Sequence, residues 1–125
     1  MIERLTPPGV PTPRGPYSPA VRAGDFIFVA GQVPVDPTTD KLSNGDIEHE
    51  TRLVLNNIKR ILEGAGATMA NVVRVGVYIK DGADFAAMNA VYAEFFGENK
   101  PARSTIVCGF VADIKVEIDC VAYRP

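Results

Sequence analysis

The sequence predicts an α+β fold, and three observations support it. The 125 residues, with 46% hydrophobic and 22% charged content, have the composition of one globular domain, so residues 1–125 are expected to form a single domain. Along the chain, the hydrophobic periodicity alternates between the period of a strand and that of a helix. The resulting order is loop, strand, helix, strand, helix, strand, strand, with an extra short strand expected at the N-terminus.

Six of the ten prolines lie between Pro7 and Pro19. Proline fixes φ and lacks a backbone donor, so this stretch is predicted to be an ordered loop rather than a helix, a central strand or a flexible linker. The loop would present Arg14, Tyr17 and Ser18.

The first long strand is predicted at Asp25–Val33, which is rich in β-branched and aromatic residues. Both of its alternating faces are apolar, with Phe26, Phe28 and Ala30 on one and Ile27 and Val29 on the other. Because two helices can cover only one face of a sheet of roughly four to six strands, the second apolar face predicts a homo-oligomer. The segment Asp36–Gly45 that follows predicts a turn-rich loop.

Two amphipathic helices are predicted, at about Asp46–Glu63 and Asp84–Phe96. Asp46 is the expected N-cap of the first helix, and Gly64 and Gly97 are the expected stops of the two. The buried stripe of the second helix is predicted to be Phe85, Met88, Tyr92, Phe95 and Phe96.

Three more strands are predicted, at Asn71–Lys80, about Arg103–Cys108 and about Lys115–Tyr123. Alternation in the first places Val73, Val75, Val77 and Ile79 on one face and Arg74, Gly76, Tyr78 and Lys80 on the other. Alternation in the last places Ile114, Val116, Ile118, Cys120 and Ala122 opposite Lys115, Glu117 and Asp119.

Composition argues against several classes of function. A net charge of -2 disfavours general nucleic-acid binding, which needs a basic surface. No run approaches the ~20 apolar residues of a membrane span, and no apolar signal segment opens the chain, so the expected location is the cytoplasm.

One histidine and two cysteines nearly exclude a zinc site built from those residues alone. Cys108 and Cys120 are expected to be reduced core residues.

Three polar residues are candidates for chemistry, whereas His49, in the first turn of a helix, is interpreted as solvated. Asn89 shares a helical face with apolar residues and either ties down a loop or belongs to a site. Arg103 offers a planar fork to a carboxylate or phosphate, or forms an ion pair at the surface or a subunit interface. Glu117 lies in mid-strand and either holds a water as acid and base or pairs with a Lys or Arg across the sheet.

A set of motifs runs in order along almost the whole chain. They are Gly15-Pro-Tyr-Ser-Pro-Ala20, Phe28-Val-Ala-Gly-Gln-Val-Pro-Val-Asp36, Thr51-Arg with Asn57-Ile, Phe85-Ala-Ala-Met-Asn89 with Tyr92-Ala-Glu-Phe-Phe96, and Pro101-Ala-Arg-Ser-Thr105 with Val116-Glu-Ile118. In this ordered set the chain resembles the Rid superfamily of reactive intermediate deaminases, also called YjgF-like proteins. The last motif is the most specific.

The resemblance implies a chorismate-mutase-like α+β fold, with a mixed, mostly antiparallel sheet and two helices on one face, assembled as a homotrimer with clefts between subunits. It also implies hydrolysis of enamines and imines, such as 2-aminoacrylate (2-iminopropanoate) and 2-iminobutanoate, to 2-keto acids and ammonia, without cofactor or metal. By the resemblance, Arg103 would grip the substrate carboxylate and Glu117 would position the water. The substrate-binding residues would be Tyr17, Ala30, Gly31, Asn89, Arg103 and Thr105, the last through its backbone.

The chain departs from the archetypal deaminase at two places. Ala30 stands where the archetype has Ser, so one hydroxyl contact is missing, and the loop at Cys108–Asp113 is one residue shorter. These departures favour an alternative, a non-catalytic trimeric module that binds small carboxylates or protein partners through the same clefts. The presence of Arg103 and Glu117 counts against it. The ribonuclease activity attributed to some relatives is disfavoured, because the chain has no basic stripe and no pair of histidines.

Overall fold

The computed structural model describes residues 1–125 and contains two α-helices and eight strands. The helices are α1 (Ile47–Gly64) and α2 (Phe85–Phe96), each preceded or followed by short 3-10 turns in the connecting loops. The strands are β1 (Ile2–Leu5), β2 (Ala20–Ala23), β3 (Phe26–Gln32), β4 (Val35–Asp36), β5 (Lys41–Leu42), β6 (Val72–Ile79), β7 (Ala102–Val107) and β8 (Val116–Tyr123).

Six strands form one sheet in the order β1-β2-β3-β8-β6-β7, and β4 and β5 form a separate hairpin. All neighbours are antiparallel except β6 and β7, which run parallel because α2 connects them as a crossover helix. Helix α1 packs on β3 and β8, and α2 packs beside α1. The predicted α+β fold, with a mostly antiparallel sheet and two helices, is confirmed. Neither helix is long and apolar enough to cross a membrane.

The hydrophobic core lies between the helices and one face of the sheet, which we call the helix face. Alternate residues of the central strands point into it, because successive side chains of a strand point to opposite sides. The core residues from these strands are Ile27, Val29, Val75, Val77, Ile79, Val116, Ile118, Cys120 and Ala122. The predicted buried side of the closing strand is therefore confirmed.

The other face of the sheet, here called the open face, has no cover within the chain. Phe26 and Phe28 of β3 are 43% and 47% exposed on it, as the alternation predicted. The Phe26 ring packs against Tyr123 with centroids 5.2 Å apart. Ile106 of β7, opposite Tyr78 in the register, adds a further exposed apolar side chain.

The first turn of α1 confirms the predicted N-cap and shows a buried carboxylate that the sequence did not predict. Asp46 is the N-cap, and its Oδ1 accepts a hydrogen bond from the His49 N–H at 2.8 Å. Glu50, which the sequence suggested only as a charge favourable to the helix dipole, is fully buried. Its carboxylate accepts from the backbone N–H groups of Gly45, at 3.1 Å, and Lys115, at 2.7 Å. Glu50 thus ties the start of α1 to the start of β8.

Several details of the helices and strands differ from prediction. A β-bulge between Val72 and Arg74 shifts the alternation of β6, so Val72 is buried, whereas Val73, predicted to share the face of Val75, is 44% exposed. Phe85, predicted for the buried stripe of α2, is 44% exposed because it begins the helix.

Four other features of the structure also differ from the prediction. The stop after α1 comes at Gly66, with a φ of 86°, because Gly64 is still helical. Cys108 is half-buried rather than a core residue. Strand β2 and the β4–β5 hairpin are too short for the periodicity to reveal.

The proline-rich loop is held against the β4–β5 hairpin. The Thr12 N–H donates to Asp40 Oδ1 at 3.0 Å, and the Arg14 guanidinium donates to the Asp40 carbonyl. The hydrogen bonds from Thr12, with the charge of Arg14, hold the pKa of Asp40 below its ordinary value. Arg14 and Tyr17 are exposed, as predicted, while Ser18 is half-buried.

Candidate functional site

The predicted site residues form two groups, and the sheet separates them. Arg103 lies opposite Val75 in the β6–β7 register, so its side chain points to the helix face, as does that of Thr105 opposite Val77. Glu117 lies opposite Tyr78 in the β6–β8 register and points to the open face. Within one chain the two predicted catalytic residues therefore do not meet. We call the residues around Arg103 on the helix face the arginine group. We call the residues around Glu117 on the open face the glutamate group.

The arginine group centres on a guanidinium held by aromatic rings. Arg103 Cζ lies 4.7 Å from the centroid of the Tyr92 ring and 5.7 Å from that of Phe85, which are cation–π distances. Arg103 forms no ion pair within the chain, so its planar fork is free for a ligand. A cavity of about 320 Å³ opens beside it. Its lining includes Asn89, Tyr92, Phe96, Lys100, Pro101 and Arg103.

Two buried polar atoms in this lining lack a partner. Neither the Asn89 Oδ1 atom nor the Tyr92 hydroxyl forms a hydrogen bond, and an unsatisfied buried polar atom costs about 1–3 kcal/mol. The predicted alternative that Asn89 ties down a loop is therefore not found for its Oδ1 atom. Burial raises the pKa of Tyr92, against the opposing charge of Arg103, so the phenol stays protonated at neutral pH. The Arg103 guanidinium and the Tyr92 hydroxyl can donate to a small carboxylate, and the Asn89 Oδ1 atom can accept a hydrogen bond from an N–H of the same ligand.

Tyr92 is the functional candidate that sequence reasoning missed, because its helical spacing assigned it to the buried stripe. It is indeed buried, with its ring 4.6 Å from that of Phe96. The signal that could have identified it is chemical, since a tyrosine in a buried stripe carries a hydroxyl that needs a partner.

The glutamate group centres on a carboxylate resting over a glycine. The β3–β8 register shifts between Val29 and Gln32, and Gly31 lies in this irregular stretch. A Cβ at Gly31 would lie 3.0 Å from the Glu117 Cδ atom and closer still to its Oε2, so any larger residue at position 31 would force the Glu117 carboxylate to move. A cavity of about 330 Å³ adjoins them, lined by Tyr17, Ala30, Gly31, Val33 and Glu117.

The electrostatics of Glu117 favour a proton acceptor. Burial raises its pKa above the ordinary value, and the negative charge of Asp119 adds to the effect. The predicted alternative, a cross-strand ion pair, is not found, because the residue opposite is Tyr78. Tyr17 borders the same cavity, is 49% exposed, and accepts a hydrogen bond from the Arg14 N–H at 3.2 Å.

No group of three or more His, Cys, Asp or Glu side chains in the chain could hold a metal ion. Both cysteines are free thiols, and burial raises the pKa of Cys120 to about 12. His49 bonds Ser43 Oγ at 3.0 Å, beside the start of α1.

Known proteins share this architecture. A family model described as Endoribonuclease L-PSP matches residues 9–124. The chain is 50% identical over 125 residues to a RutC family protein of Pyrococcus horikoshii, covering 99% of each. It is 40% identical over 122 residues to a protein of Acinetobacter baylyi named 3-aminoacrylate deaminase RutC, covering 97% of each. The crystal structure of the YjgF gene product of E. coli matches with a TM-score of 0.91 and 36% identity, covering 98% of this chain and 99% of that one.

Proposed function

The chain belongs to the YjgF/RutC/Rid family, and on that premise we propose that it hydrolyses reactive enamines and imines of small amino acids to 2-keto acids and ammonia. The family includes a relative named for deamination of an enamine, 3-aminoacrylate. The substrates we propose are of the 2-aminoacrylate (2-iminopropanoate) and 2-iminobutanoate type. The observation that carries the proposal is the unpaired guanidinium of Arg103 beside the two unpartnered polar atoms of Asn89 and Tyr92.

We propose that the two groups meet between copies of the chain, in a homotrimer. The open face exposes large apolar side chains, including Phe26, Phe28 and Ile106, next to the glutamate group, and such a face favours burial against a partner. Arg103 lies on β7, one of the two edge strands of the sheet, and Asn89 and Tyr92 lie on α2. An interface could therefore place Arg103 of one copy opposite Glu117 of the next. Light scattering should then give about three times 13.5 kDa, and a monomeric mass would refute the shared site.

The proposed reaction needs little activation, because an iminium carbon is already electrophilic. An enamine substrate is first protonated at its β-carbon by solvent to give the iminium ion, the protonated form of the imine. Arg103 would hold the carboxylate, and Glu117 would take a proton from water as its oxygen attacks the imine carbon. Transfer of that proton to the nitrogen makes ammonia the leaving group, and Glu117 then takes the remaining hydroxyl proton as the carbon–nitrogen bond breaks, so ammonia leaves, a carbonyl forms and the proton passes to solvent. A raised pKa suits Glu117 to accept and return the proton.

A binding module without catalysis is the second candidate, and Ala30 favours it. The alanine supplies no hydroxyl to the cavity it lines with Glu117. The ribonuclease named in the family model's description finds less support, since 13 basic residues face 15 acidic ones and the chain has a single histidine.

The test is keto-acid release from imines generated in place by an amino-acid oxidase, with catalase present and several amino acids as the source. The proposal expects the protein to accelerate keto-acid formation, most for small side chains. Calorimetric titration with the product keto acids distinguishes the alternatives. Keto-acid binding without any acceleration would favour the binding module, and absence of both would refute the two candidates.

A further inference from the structure

A second carboxylate accompanies Glu117 on the open face. Residues 117 and 119 of β8 point to the same side, because side chains alternate along a strand. The Tyr78 hydroxyl donates a hydrogen bond to Asp119 Oδ2 at 3.0 Å. Tyr78 itself lies directly opposite Glu117 on β6. The tyrosine that faces Glu117 therefore bonds the neighbouring aspartate and leaves Glu117 without this donor.

A glycine makes the arrangement possible. Gly76 lies directly opposite Asp119 in the β6–β8 register. A Cβ at Gly76 would lie 2.5 Å from Asp119 Oδ1 and 2.9 Å from the Tyr78 hydroxyl oxygen. A larger residue would displace the carboxylate or the phenol. The open face thus keeps two carboxylates in place with two glycines, Gly31 next to Glu117 and Gly76 next to Asp119.

Within one chain, Asp119 is the charge that acts on Glu117, as an inventory of the surrounding elements shows. In the proposed trimer, Arg103 of the next copy would also face Glu117, in the wild type and the variants alike. Strand β3 and its bulge offer no titratable group there, and the proline-rich loop offers only the phenol of Tyr17. Strand β6 carries one cation on this face, Arg74, which donates to Ser104 Oγ at 3.0 Å, and Lys80 lies exposed just beyond the end of the strand. On β8, the Lys115 ammonium is turned toward Glu50, 3.5 Å from its Oε2.

We propose that Asp119 and Tyr78 form a positioning pair that makes Glu117 a stronger base toward the attacking water; this rests on the proposed function above. The hydrogen bond from Tyr78 holds the Asp119 carboxylate in place on the open face, and the negative charge of Asp119 disfavours ionisation of Glu117. The same hydrogen bond raises the pKa of Tyr78, so the phenol remains a donor throughout the neutral range. Asp119 touches no reacting atom and acts through Glu117.

The test measures the titration of Glu117 in two ways, on the assembled protein. The first is the acid limb of kcat/KM for imine hydrolysis. The second is a carboxyl ¹³C NMR titration of glutamate-labelled protein, with the Glu117 signal assigned from Glu117→Gln. The variants are Asp119→Asn, Tyr78→Phe and, as the matched control, Asp25→Asn, which removes the same charge at an exposed turn.

Asp119→Asn should move both titrations to lower pH by about 0.5–1.5 units, as expected for a unit charge about 7 Å away at an effective dielectric constant between those of a protein surface and water. Tyr78→Phe keeps the charge of Asp119 but removes the hydrogen bond that holds it in place, so both titrations should move to lower pH by less than in Asp119→Asn. Asp25→Asn should leave both unchanged. An active Asp119→Asn variant with an unmoved acid limb and NMR titration would overturn the inference. A wild-type protein without hydrolase activity, in which the NMR shift still occurs, would refute the proposed function and leave the coupling established.

Discussion

Replacing Arg103 by alanine should abolish most of the proposed activity without disturbing the fold. Its guanidinium has no ion-pair partner in the chain and contacts the Tyr92 and Phe85 rings at 4.7 and 5.7 Å. Two contributions are therefore lost, a bidentate contact to the substrate carboxylate and a pair of cation–π contacts. The first is worth roughly 2–5 kcal/mol in a desolvated cleft, and the second about 0.5–1 kcal/mol each at a partly exposed site.

Only the carboxylate contact changes substrate turnover, whereas the cation–π contacts affect stability. At about 1.36 kcal/mol per decade, kcat/KM should fall by about thirty-fold to several thousand-fold, while Tm should drop by only a few degrees. Arg103→Lys should restore little activity, because an ammonium cannot reproduce the planar fork.

The assay is imine hydrolysis followed by keto-acid release, with molecular mass measured on the same sample. Arg52→Ala is the matched control: its ion pair with Glu94, at 2.6 Å, is on the exposed helix surface and is expected to contribute no more than about 1 kcal/mol. An Arg103→Ala protein that assembles normally and remains fully active would refute the carboxylate-binding role. One that fails to assemble would instead support an ion pair between subunits.

Three further substitutions test the glutamate group and the fold. Glu117→Gln should lower kcat by about 10²–10⁴-fold with little change in KM. Burial raises the pKa of Glu117, so the activity of the wild-type protein should decline on acidification at a higher pH than an ordinary glutamate would give. Gly31→Ala should displace that carboxylate and lower kcat in steady-state assays, whereas Gly109→Ala, with open space around it, should not. Glu50→Ala should lower the free energy of unfolding by about 3 kcal/mol and Tm by about 10 °C in thermal melts, because two backbone N–H groups lose a buried acceptor. The exposed Glu48→Ala should stay within about 0.5 kcal/mol of the wild-type stability.

The sequence by itself determined those features that depend on neighbours within a few residues. The Asp46 cap and the stripes of the two helices follow from the spacing of polar and apolar side chains along a helix. The apolar open side of β3 follows from alternation along one strand, and it already predicted that the sheet needs a second cover. Motif order was sufficient to suggest the family, and the comparisons confirmed it.

Only the tertiary structure decided the contacts that join distant parts of the chain. From the sequence, Glu50 is an ordinary acidic residue in the first turn of a helix. In the fold, it is buried between the starts of α1 and β8 and accepts hydrogen bonds from both. Gly31 and Gly76 leave space for carboxylates on another strand, and no local sequence pattern reveals this contact. The opposite orientation of Arg103 and Glu117 likewise depends on the registers of β7 and β8 against β6. Register is set by pairing between strands that are remote in sequence, so the alternation within each strand cannot determine which faces of different strands coincide.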